Sequence, residues 1–262
     1  GNGNDIVQKL RLQINLEKIK SFDYLFFGCA NLRFITFPES DMLNVESMRY
    51  SFSGCSKLES LDLSMIKSPK LNDMGFAFAD CENLCRIDFS GFDTSEVTDM
   101  ASCFRNCSKL DNLDLSSFDT SKVEDMQYMF KGCKELKNLN LSNFNTENVQ
   151  DMRCMFWECE SLKTLDLNHF NIQNVEEINS MFADCKRLVD LKIDNFNSEK
   201  IDNMNALFCN CESLTSLNLT SFNCSNVKSI EDMFANCSHI TTATVLPATT
   251  LVDRCYLGMF YL

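Results

Sequence analysis

Chain breakers are scarce in this sequence of 262 residues: three prolines and eight glycines leave no room for a flexible linker between domains. Basic residues are also short, 24 Lys and Arg against 37 Asp and Glu, for a net charge of −13 and a sequence pI near 4.6. That balance excludes a nucleic-acid backbone or an anionic membrane surface as partner, since both require a basic stripe. It permits a cationic partner, although acidity more commonly serves solubility. No apolar run approaches the roughly 18 residues that would span a bilayer. The opening Gly1-Asn2-Gly3-Asn4-Asp5 lacks the basic and apolar regions of a signal peptide. The two histidines, His169 and His239, have no Ser or Cys nucleophile and carboxylate at comparable positions, and nothing resembles a phosphate loop. With no grouping of acid, base and nucleophile, the sequence predicts no enzyme and no cofactor.

What the chain does have is a period. Cys29, Cys55, Cys81, Cys107, Cys133, Cys159, Cys185, Cys211 and Cys237 stand 26 residues apart, each preceded three positions earlier by Phe, from Phe26 to Phe234. Leu or Ile follows three positions after each cysteine. A period held this long means one supersecondary unit stacked on copies of itself. Length alone would allow one or two domains; the unbroken repeat favours a single elongated one, 1–262. Within it, 1–28 reads as a degenerate first coil or cap, 29–240 as regular repeats, and 241–262 as a variant, truncated repeat. Ile6 to Leu16 carries the degenerate alternation, and Ile19 and Phe22 rejoin the periodic positions. Phe260 continues the phenylalanine row one step before a tenth cysteine, so the array is expected to continue.

One unit, Cys107 to Gly132, serves for all. Leu110-x-x-Leu113-x-Leu115 matches the leucine-rich pattern, with Leu113 and Leu115 alternating inward along a short strand. Phe118-Asp119-Thr120-Ser121 is turn chemistry, short polar side chains able to bond backbone groups at a bend. Val123, Met126, Met129 and Phe130 then have helical spacing, and a short strand followed by one turn of helix fits the space best. Gly28, Gly54 and Gly132, replaced elsewhere by Asn106, Asp184, Asn210 and Asn236, sit where that turn would end and positive φ is useful. The expected fold is an α/β solenoid: a leucine-rich-repeat-like stack of 26-residue coils, with a parallel sheet on one face and a short strand plus a single helical turn on the return side.

Phe118-Asp-Thr-Ser-x-Val-x-Asp-Met126, followed by Met129-Phe130-x-Gly-Cys133-x-x-Leu136-x-x-Leu139-x-Leu141-Ser, resembles the BspA-type leucine-rich repeat, the variant found in mycoplasma lipoproteins and gut bacterial surface proteins. The match covers essentially the whole chain; Leu246 to Phe260 resembles another flavour of repeat in that family. The resemblance implies an exported, surface-displayed protein used for adhesion or ligand binding. It brings no catalytic residue.

The cysteines are the first candidates for chemistry. Adjacent copies in a parallel stack lie about 4.8 Å apart, but their Cβ vectors point the same way, leaving the Cβ atoms near that spacing rather than the roughly 3.8 Å of a disulfide. Nine is also an odd number for pairing neighbours. The row is expected to be buried free thiols acting as small apolar residues. Cys209/Cys211, Cys81/Cys85 and Cys103/Cys107 are the only close groupings, and each has a member pointing inward, so metal binding is not expected. Cys85, Cys154, Cys224 and Cys255 fall at polar or mixed positions and are expected to be exposed, which fits an oxidising exterior poorly and keeps a cytoplasmic location open.

Polar columns are the second candidates. Asp62, Asp88, Asp114, Asn140, Asp166, Lys192 and Asn218 lie between inward strand residues and form the candidate ligand-binding face. The column has no aromatic anchor, which suits a glycan or a cationic peptide better than a large protein hot spot. Asp73, Asp99, Asp125, Asp151 and Glu177 form a return-side column, where calcium is conceivable and turn capping is the simpler reading. Asp93, Asp119, Asn145, Asn171, Asn197 and Asn223 form a third, expected to bond backbone along the stack. These readings predict a non-enzymatic, surface-displayed or secreted module for adhesion to a host or community protein or glycan. A structural spacer array presenting another domain, or an intracellular interaction scaffold, is the alternative.

Overall fold

In the computed structural model, residues 19–37, 45–64, 66, 68–197 and 199–243 are described below. Seven coils contribute a short strand where the leucine pattern places it: β1 Phe34–Ile35, β2 Ser60–Asp62, β3 Arg86–Asp88, β4 Thr164–Asp166, β5 Asp190–Lys192, β6 Ser216–Leu217 and β7 Thr242–Ala243. Pairing is parallel and offset by one repeat, with Leu61 opposite Ile87 and Leu165 opposite Leu191. Between β3 and β4 the row is carried by a single bridge, Asn112 to Asn138. A second line of single-residue parallel bridges runs along the return side, from Ser21 through Ser47, Asp73, Asp99, Asp125 and Asp151 to Glu177.

The core is a column of rings. Phe26 to Phe234 stack face to face, with centroids 5.2 to 5.8 Å apart. Leucines of the strand, methionines of the return side and the cysteine row close around them. Every cysteine of the row from Cys55 to Cys237 is buried and free, while Cys29, in the first coil, is exposed. The thiols are not merely apolar filler. Each donates to the carbonyl of the phenylalanine 29 residues earlier, from Cys55 to Phe26 at 3.1 Å through Cys133 to Phe104 at 3.2 Å to Cys237 to Phe208 at 3.0 Å. Burial pushes the thiols up, Cys133 and Cys185 to about 12.

The expected helical turn is absent: the described residues contain no helix, and the return side pairs by single bridges rather than by a short strand. The backbone follows another pattern. In the first coil the N–H groups of Phe22, Tyr24, Phe26 and Gly28 donate to carbonyls of the next coil, at Ser47, Arg49, Ser51 and Ser53. The intervening N–H groups of Leu25, Phe27 and Cys29 donate three residues back, to Phe22, Tyr24 and Phe26. A helix would direct every donor back along its own axis. Here every second donor serves the neighbouring coil, so i→i+3 turns cannot propagate into a helix. Apolar spacing of i, i+3 and i+7 is met equally by this chain of turns.

Such turns need residues with positive φ, and each coil has two. One is the position anticipated from glycine, with Gly28, Gly54 and Gly132 at +69° to +76° and Asn106, Asp184, Asn210 and Asn236 at +57° to +60°. The other lies four residues earlier, at Tyr24, Tyr50, Phe76, Ser102, Tyr128, Cys154, Ser180, Ala206 and Asp232. Residue type gives no sign of it. Cys154 occupies that column and is buried, contrary to expectation. Cys224 is buried too, because it takes the place that Thr94, Thr120 and Thr146 fill in earlier coils. Cys85 is exposed as expected, and Cys255, Phe260 and the Ile6–Leu16 copy lie outside the described residues.

Candidate binding surface

All seven residues of the candidate face, Asp62, Asp88, Asp114, Asn140, Asp166, Lys192 and Asn218, are exposed. Strand register places Asp62 directly opposite Asp88 and Asp166 opposite Lys192. Six of the seven also shape the backbone. Oδ1 of Asp62 accepts from the Ser64 N–H at 2.9 Å and its hydroxyl at 2.6 Å; Asp88 and Asp114 accept from the Ser90 and Ser116 N–H groups at 2.9 Å. Asn140, Asp166 and Asn218 do the same, at 3.1 Å, for Ser142, Asn168 and Thr220. These are Asx turns that end the strand. The hydrogen bonds from Ser64 hold the Asp62 carboxyl below its ordinary range, and the Ser116 and Asn168 N–H groups do so for Asp114 and Asp166. Lys192 cannot accept. In its coil the Asp194 N–H turns to Oδ1 of Asn168 at 2.8 Å, and Lys192 Nζ lies 3.2 Å from Asp166.

The other two columns use the same chemistry. Asp73, Asp99, Asp125 and Asp151 accept from the N–H two residues on at 2.8 to 2.9 Å, the turn-forming role preferred over calcium. Burial pushes Asp73 and Asp125 up, and Asp151 up to about 6. Asp93, Asp119, Asn145, Asn171 and Asn223 cap their own turns in this way rather than bonding along the stack. The bonds along the stack come from buried threonines. Thr94 Oγ1 donates to the Asp119 carbonyl at 2.9 Å and accepts from the Asp119 N–H at 2.8 Å; Thr120 and Thr146 repeat this with Asn145 and Asn171.

Sequence reasoning missed an aromatic on the strand face. Phe34 is 55% exposed, pairs in register with Ser60, and lies under the Arg33 guanidinium at 5.6 Å. With Ser60, Arg86 and Lys109 it lines a shallow groove. The signal was present in Leu32-Arg-Phe-Ile-Thr-Phe37, where Phe34 falls at an outward strand position. On the return face Tyr24, Tyr50 and Phe76 stack at 5.0 and 4.5 Å. Trp157 is fixed there by Asp184 at 3.0 Å and by Lys131 at 3.7 Å from its ring.

The description "Mycoplasma protein of unknown function, DUF285" fits residues 72–191 and 163–250. "BspA type Leucine rich repeat region (6 copies)" fits residues 3–126. The chain belongs to the DUF285 family and carries BspA-type leucine-rich repeats. Among solved structures it is similar to the leucine-rich repeat protein of T. pallidum, TpLRR, at 20% identity and a TM-score of 0.43, covering 68% of this chain and 76% of that one. A leucine-rich repeat protein from Bacteroides ovatus gives 19% identity and 0.37, over 79% and 66%. A leucine rich cell surface protein from Faecalibacterium prausnitzii gives 15% and 0.34, over 87% and 76%. No curated protein is significantly similar to the chain. The repeat fold is a structural and binding scaffold rather than a catalytic one. Among the described residues no cluster of three or more His, Cys, Asp or Glu is placed to hold a metal ion, and no helix is long and apolar enough to cross a membrane.

Proposed function

We propose that the chain is a non-catalytic, surface-displayed module for adhesion, engaging a host or community protein or glycan through its strand face. The observation that carries this reading is the fixing of the outward column. One oxygen of Asp62, Asp88 and Asp114 is held by its own turn, so the side chain cannot reorient, while the carboxylate stays exposed. A row of pre-set acceptors one coil apart loses little side-chain freedom when a ligand binds. Phe34 adds an exposed ring at one end of the same face. The resemblance of the repeats to the BspA type implies display at the cell surface.

Binding to immobilised matrix proteins, glycans and host cells is measured for the chain and for the double variant Asp88→Asn, Asp114→Asn. Asparagine keeps the turn acceptor and removes only the charge. Affinity is expected to fall about three- to tenfold, as for two charges at a binding rim. An undiminished affinity rejects this face.

A further inference from the structure

One junction in the stack differs from the rest. The return-side bridges run unbroken to Glu177 and, among the described residues, resume only at Asn203 and Ser229. On the strand side the same two coils stay paired, Thr164 opposite Asp190 and Leu165 opposite Leu191. At the same junction the threonine stitch stops, because Ile172 replaces Thr146 in the next coil and has no hydroxyl for the backbone of Asn197. Two ties between these coils therefore lapse together, while the strand side holds.

A groove of about 420 Å³ opens there, lined by His169, Asn171, Gln173, Asn195, Asn197 and Ser221, among others. Its size falls within the range of small-ligand sites. The chemistry of its wall is uniform: amides, a hydroxyl and an imidazole, with no carboxylate, lysine or arginine in a chain of net charge −13. Some of these groups serve the fold, since Nε2 of His169 bonds the Leu141 carbonyl at 2.8 Å and Nδ2 of Asn195 the Asn168 carbonyl at 2.8 Å. The side-chain amides of Gln173 and Asn197 are exposed and uncommitted among the described residues. Ser221 Oγ is buried against the groove without a hydrogen-bond partner. Its counterparts one and two coils earlier, Asn195 and His169, each cap a carbonyl. A buried hydroxyl left open in this way is an exception that an ordered water or a polar ligand atom would satisfy.

We propose that this groove is a binding site for a neutral saccharide. Neutral donors and acceptors in mixed array match a polyhydroxyl ligand, and the absence of charge gives no preference for an ion. A peptide would need an open apolar pocket for an anchor. The apolar residues of the groove, Phe170 and Ile172, are buried at 2% exposure each. The site lies beyond the strand column and stands independently of the adhesion reading.

The test is a titration of the isotopically labelled chain with maltohexaose, cellohexaose and chitohexaose at millimolar concentration, read by amide chemical shifts. At least one is expected to shift residues 168–173, 195–197 and 221, and Gln173→Ala and Asn197→Ala each to weaken it about five- to tenfold. Neither amide bonds within the fold among the described residues, so unchanged melting of both variants keeps the comparison clean, and the Asp88→Asn, Asp114→Asn variant is expected to bind as tightly as the parent. Failure of all three saccharides to shift the groove overturns the proposal. So do shifts unaffected by both substitutions, or a neutral peptide that fills the groove where the saccharides do not.

Discussion

Replacing Asp151 by asparagine is expected to stabilise the protein at neutral pH and to do nothing at pH 3. Asp151 lies in the return column between Asp125 and Glu177, and its Oδ1 accepts from the Arg153 N–H at 2.9 Å. Asparagine keeps that bond, as Asn203 does in its own coil with the Asn205 N–H at 2.9 Å. What it removes is a charge whose burial raises the carboxyl from 3.8 to about 6, although Arg153 stands 2.8 Å away. The raised value means that the folded chain holds this proton more tightly than the unfolded one. Wild-type stability therefore falls as pH rises from about 4 to about 6, and the full penalty stands above that range. A shift of about 2 units corresponds to a ceiling of about 3 kcal/mol. The side chain is still 16% exposed, and solvent screening reduces this to about 1–1.5 kcal/mol. Urea unfolding of both chains from pH 3 to pH 8 measures it. The difference should grow from near zero at pH 3 to its plateau by pH 7. A difference independent of pH, or a variant less stable at pH 7, would refute the reasoning.

Other substitutions probe other contacts. Cys133→Ala removes the thiol bonded to Phe104 and leaves a small void, costing about 1–2 kcal/mol, while Cys133→Ser keeps a donor and costs less in denaturant melts. In a thiol-labelling time course, Cys29 and Cys85 react in the folded state, and Cys133 only on unfolding, because it is buried and pushed up to about 12. Thr120→Val strands both the N–H and the carbonyl of Asn145 and should cost about 2–4 kcal/mol in the same melts. Gly132→Ala is expected to lower the melting temperature, since φ is +72° and an added Cβ would stand 2.3 Å from Oδ1 of Asn106.

Most of the coil was legible in the residues. The 26-residue period fixes which side chains meet, so Phe104 on Phe130 and Leu165 on Leu191 follow from spacing alone. Positive φ at Asn106 and Asn210 could be read from the glycines in the same column. Hydrogen-bond direction was not legible. Whether Tyr24 donates within its coil or to the next one leaves no mark on apolar spacing, and so the spacing suggests a helical turn where the described residues have none. The second positive-φ column was hidden because Tyr128, Cys154 and Ala206 share no residue type. On the candidate face, exposure of Asp88 and Asp114 was legible from alternation. Their turn-forming role was not, because an Asp-x-Ser spacing suits a plain surface equally well. Phe34 is legible too, since Leu32, Ile35 and Phe37 keep the inward positions and leave it facing outward.

The alternation of donors on the return side constrains how such a chain can change in length. Phe22, Tyr24, Phe26 and Gly28 reach outward to the next coil while Leu25, Phe27 and Cys29 close turns at home. Insertion of a single residue in this stretch would exchange the two sets, aiming inward-closing donors at the neighbour and leaving its carbonyls unmet. Removal or addition of a whole repeat leaves every parity intact. The segment thus behaves like a reading frame written in hydrogen bonds, and arrays of this kind should lengthen and shorten in whole coils, with smaller insertions confined to corners that no neighbour reads.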